Sequence, residues 1–72
     1  MSKEMEFFIY LLERYAYERK TTADKVMKKL EELNLTDKVY EDYEFYHIER
    51  LENAFEDIDK MIIESGGNLN YN

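Results

Sequence analysis

Seventy-two residues with a formal net charge of −7, no cysteine, no proline and two glycines exclude a disulfide framework and a thiolate metal site. A turn-rich β fold is excluded as well, because it would need more glycine and proline. A chain this short buries only about 60% of its unfolded surface, so its core must come from a few well-packed helices or from a second copy.

The charge is uneven. Residues 1 to 38 carry eight Lys/Arg against eight Asp/Glu, and residues 39 to 72 carry Arg50 and Lys60 against nine acids, so 2 − 9 accounts for the whole −7. An acidic second half opposes binding to phosphate backbones and anionic membranes and suits either solubility or a basic partner. No apolar run approaches the roughly 20 residues needed to span a bilayer. The N-terminus has no signal-peptide pattern, and the expected location is cytoplasmic. Seven tyrosines and four phenylalanines supply rings for the margin of a small core.

In chain order, Met5, Phe8, Ile9, Leu12, Tyr15 and Ala16 recur at helical spacing between Ser2 and Lys20, widened by Phe7 and Leu11. This predicts a central first helix with Ser2 as its N-cap and Arg19 and Lys20 at its negative end. Thr21 and Thr22 can cap a second helix, with Ala23, Val26, Met27, Leu30 and Leu33 as its stripe. Asn34 provides a left-handed C-terminal residue. Thr36 reads as the next N-cap, with Leu35 and Tyr40 as a hydrophobic staple, so the second and third helices meet in a helix-turn-helix-like corner.

No glycine or proline separates Val39, Tyr40, Tyr43 and Tyr46 from the stripe Leu51, Phe55, Ile58 and Ile62. Either one helix runs from 37 to 65 or a break falls near 47 to 52; the break is preferred, since a straight helix would expose Phe55, Ile58 and Ile62 unless a second subunit covered them. The expected architecture is all-α, a small three- to four-helix bundle. It comprises a single helical domain over residues 1 to 65 and a flexible polar tail over 66 to 72.

Few constellations carry chemistry. Glu44-x-x-His47 has the spacing of one half of a di-iron site, but the full site needs two such motifs and two more glutamates, so no metal or cofactor is expected. The acids around Asp57 lack the loop and glycine of a calcium site, and no serine or cysteine nucleophile accompanies the lone histidine. Catalysis is therefore not expected. Glu52, Glu56 and Asp59 share a face of the last helix, with Asp57 nearer the core edge. With Tyr46 and His47 at the margin, they form a candidate surface for arginine or lysine on a basic protein partner. A homodimer is the structural alternative. DNA binding through Lys25, Lys28 and Lys29 is a further one, opposed by Glu41, Asp42 and Glu44 on the would-be recognition helix.

Several of these segments carry a resemblance: Thr22 to Val26, Leu33 to Asp37, Glu6 to Ala16 and above all YHIERLENAFEDIDKMI from Tyr46 to Ile62. The chain resembles the bacterial domain-of-unknown-function family numbered 3791 over roughly residues 4 to 64. Many members have a glycine between the histidine and the last helix, where this sequence has Ile48-Glu49-Arg50-Leu51. The resemblance implies a small all-α protein with no established activity. It also implies an antitoxin-like or adaptor role, since members are often encoded beside a family that looks like ADP-ribosyltransferases.

Overall fold

The computed structural model describes residues 1 to 71, and every regular element among them is a helix: α1 Lys3–Glu18, α2 Ala23–Glu32, α3 Thr36–Glu41, α4 Tyr43–Tyr46 and α5 Leu51–Glu64. The expected third helix is thus divided in two at Asp42. Its backbone N–H still donates to the Lys38 carbonyl, and its own carbonyl accepts from Phe45 and Tyr46, so α3 and α4 follow one another as a single interrupted rod. Counted that way, the bundle has four members.

Ser2 caps α1 as expected, its hydroxyl accepting the Met5 N–H at 3.1 Å. The buried face of α1 is Phe8, Leu11, Leu12, Tyr15 and Ala16, and the helix packs against α2, α3 and α4. Thr22 occupies the N-cap position of α2. Its side chain makes no capping hydrogen bond to the helix, contrary to the expectation; instead the hydroxyl beside Asp24 holds that carboxyl below the usual range. Exposed charge makes the outer side of α2, while Val26 and Leu30 are sealed in the core.

Three helices end in the same way. At the end of α2, Asn34 is left-handed (φ 59°), its N–H reaching Glu31 and that of Leu35 reaching Leu30. This paired arrangement satisfies the last carbonyls of a helix. Gly66 (φ 88°) does the same after α5, with Gly67 donating to Ile62. After α1 the left-handed position falls to Lys20 (φ 58°), a conformation that costs a residue with a Cβ about 1–2 kcal/mol. Part of that cost returns through the unfolded chain when glycine is substituted. Lys20→Gly should therefore raise stability by roughly 0.5 kcal/mol, seen as a higher urea midpoint at unchanged slope.

Helix α3 departs from the expected cap by one residue. Leu35 stands at the N-cap in right-handed conformation (φ −106°, ψ −6°), because its N–H is already committed to closing α2 and the chain turns straight into the next helix. Thr36 is consequently the first helical residue, and its buried hydroxyl has no partner.

The break after α4 lies at residues 47 to 50, made without a glycine. His47 remains helical, and Arg50 is extended (φ −68°, ψ 140°), which any residue can adopt. The chain therefore reverses, and Phe55, Ile58 and Ile62 fall to 5%, 0% and 0% exposure within one copy. They join the α1 and α2 side chains and Val39, Tyr46 and Ala54 in one cluster.

Polarity alone points to a flexible stretch over 66 to 72. Gly67, Asn68, Asn70 and Tyr71 make contacts with the helices, and Asn72 lies outside the described residues. Gly67 packs so tightly that a Cβ there would stand 2.7 Å from Leu33 Cδ1 and 3.1 Å from Ile62 Cγ2. Beyond it, Tyr71 is half-buried against the core.

Candidate functional site

Polar side chains gather in two places, each built around a buried tyrosine and an aspartate of α5. In the first, the fully buried Tyr15 of α1 donates its hydroxyl proton to Asp59 Oδ1 at 2.5 Å. That leaves the Tyr15 oxygen to accept, and Tyr71 lies 2.6 Å away as the donor. Arg19 clamps the same aspartate, Nη2 at 2.7 Å and Nε at 3.2 Å from Oδ2. Its guanidinium also lies 5.2 Å from the Tyr15 ring and 5.9 Å from that of Phe55. Burial, then the hydrogen bond to Asp59, pushes the Tyr15 phenol far above its ordinary value. The hydrogen bond to Asp59 raises Arg19 further.

In the second, Tyr46 of α4 donates to Asp57 Oδ2 at 2.5 Å and stands 3.3 Å from Asp42 Oδ2. Burial, followed by the Asp57 hydrogen bond, raises this phenol as well. Lys38 pairs with Asp42 at 3.2 Å. These groups line an open cleft of about 370 Å³ between the α3–α4 rod and the start of α5, completed by Phe45, Glu49 and Asn53. Asp42, Glu49 and Asp57 against Lys38 leave it two net negative charges. Phe45 is 63% exposed on its wall, and Ile48, beside Glu49 in the chain, is 75% exposed.

The six residues singled out from sequence are not brought to one surface. Tyr46 and Asp57 meet in the cleft. Asp59 is committed to Tyr15 and Arg19. Glu52 sits 3.5 Å from Arg50 in an exposed pair, which contributes little, and Glu56 is exposed. His47 stacks on Tyr43, with centroids 4.2 Å apart and planes at 4°. Its Nδ1 is 2.6 Å from the Tyr43 carbonyl; a carbonyl can only accept, so Nδ1 carries the proton. Among the described residues no group of three or more His, Cys, Asp or Glu is arranged to hold a metal ion.

Sequence reasoning missed Arg19, Tyr15 and Tyr71 as polar partners, and Asp42 and Glu49 as cleft walls. One signal was available for the first network. Asp59 follows Phe55 by four residues and precedes Ile62 by three, which places it inside the apolar stripe rather than outside it. A buried tyrosine hydroxyl also requires a partner.

Of the three lysines considered for DNA, Lys29 is engaged: its ammonium donates to the Asn68 and Asn70 carbonyls and lies 4.2 Å from the Tyr71 ring. No helix among the described residues is long and apolar enough to cross a membrane.

Fold and polar clusters together define a small all-α bundle tied by tyrosine–aspartate bonds, with an acidic cleft at the α4–α5 bend. The chain belongs to the family described as Protein of unknown function (DUF3791), matched over residues 6 to 65. Comparison with curated proteins and with solved structures finds no significant match.

Proposed function

We propose that this protein is a non-catalytic adaptor that docks a basic protein partner at its acidic α4–α5 end. The observation that carries the reading is the cleft at Tyr46, in which three carboxylates face one ammonium while Phe45 stands exposed on the wall. Carboxylates beside an exposed ring suit an arginine side chain, which can donate paired hydrogen bonds to a carboxylate and lie flat on an aromatic face. The role narrows the sequence-based expectation. Asp57 and Tyr46 keep it, whereas Glu52 and Glu56 provide long-range attraction and Asp59 holds the fold.

An arginine-rich peptide titrated into labelled protein should shift the amide signals of Glu49, Asn53 and Asp57, and the effect should fade with added salt. Glu49→Lys should weaken binding about tenfold, the scale of one charge-assisted hydrogen bond. The pair Glu52→Lys and Glu56→Lys should weaken it less. Equal binding by Glu49→Lys and the unaltered chain would remove the cleft from the account.

A further inference from the structure

Residues 68 to 71 have no regular secondary structure, yet they are held like a bound peptide. Lys29 of α2 takes two of their backbone carbonyls, Asn68 and Asn70. The Tyr71 ring meets the Tyr15 ring edge-on, with centroids 6.1 Å apart at 80°, beneath the Lys29 ammonium. Its hydroxyl donates to the Tyr15 oxygen, whose own proton goes to Asp59. Leu69 instead remains 40% exposed, so the segment is read through its carbonyls and its phenol. These are the elements by which extended peptides are recognised: main-chain hydrogen bonds for affinity and one side-chain pocket for specificity.

The receiving residues Tyr15, Arg19, Lys29 and Asp59 all lie within the family match, while the segment they hold lies beyond residue 65. It follows the glycine pair, where Gly66 sits in a left-handed turn. A groove of about 290 Å³, lined by Lys25, Lys28, Lys29 and Glu32, continues beside Asn70 and Tyr71.

We propose that the surface formed by Tyr15, Arg19, Lys29 and Asp59 is a peptide-binding site, occupied in cis by residues 68 to 71, that accepts an extended tyrosine-bearing segment of a partner protein in their place. The site shares no residue with the acidic cleft and stands independently of that reading. Because the tail is tethered, it competes at an effective concentration in the millimolar range, so the unaltered chain resists exchange until the tail is weakened.

The test uses the 72-residue chain and a blocked peptide of sequence Gly-Asn-Leu-Asn-Tyr, followed by amide chemical shifts. Tyr71→Ala should bind this peptide at about tenfold lower concentration than the unaltered chain, with shifts centred on Tyr15, Lys29 and Asp59. A peptide ending in alanine should be silent. Tyr71→Phe, which keeps the ring packing and loses only the hydroxyl donor, provides a milder opening should the alanine variant lose its fold, and it too should bind more tightly than the unaltered chain. A folded variant that shows no shifts, shifts at other residues, or the same titration as the unaltered chain would overturn the proposal.

Discussion

Tyr15→Ala is expected to remove a large share of the chain's stability, whereas Tyr15→Phe should lose less. A 72-residue domain has a total stability of about 4–11 kcal/mol at 0.05–0.15 kcal/mol per residue. Truncating a buried aromatic to alanine costs about 3–5 kcal/mol through lost burial and the cavity left behind. The Tyr15 ring is 0% exposed and packs edge-on against Phe55 at 5.8 Å and against Tyr71 at 6.1 Å, so several neighbours lose contacts at once. The phenylalanine variant keeps those contacts and gives up a hydrogen bond to a charged acceptor, about 1.5–3 kcal/mol. Asp59 would still be satisfied by Arg19, which limits the loss. Urea unfolding followed by helical circular dichroism separates the two variants, and equal midpoints would show that the ring is not the keystone of the core.

The same network shows why parts of this molecule are legible in the sequence and parts are not. Local rules carried α1 and α2 well: the Ser2 cap, the Asn34 left-handed stop and the 3.6-residue stripes depend on neighbours within one or two turns. The preference for a break near His47 also rested on a local argument, the cost of leaving Phe55, Ile58 and Ile62 uncovered, and the observed reversal buries all three. Thr36 was displaced from its cap because Leu35 serves the preceding helix, a competition between two overlapping motifs.

The polar partners are another matter. Tyr15 and Asp59 are 44 residues apart, Arg19 and Asp59 40, and Tyr15 and Tyr71 56. Such pairings are set by how helices cross, which a periodicity does not encode. An acidic helix read alone looks like a uniform ridge, yet two of its aspartates are drawn to tyrosines on other helices.

Those two tyrosine–aspartate bonds also predict a sharp alkaline limit to stability. Burial and their carboxylate partners raise the Tyr15 and Tyr46 phenols well above the ordinary value near 10, and each must remain protonated to donate to its aspartate. In the unfolded chain both ionise near pH 10. Below that pH both states hold the proton, and the full contribution is present. Above it the unfolded state loses protons that the folded state keeps, so stability falls as pH rises from about 10 towards the folded values. The slope is at most about 1.4 kcal/mol per pH unit for each tyrosine, or about 2.7 kcal/mol per unit for the two. Two units above pH 10 would thus remove roughly 5 kcal/mol, comparable with the whole stability of a domain this size. Tyrosinate absorbance from these two phenols should therefore appear together with the loss of helical signal rather than before it. The double variant Tyr15→Phe, Tyr46→Phe should start less stable but show a flatter decline, leaving only the background from lysine and the exposed tyrosines. An unchanged slope in that variant would place the alkaline sensitivity elsewhere in the chain.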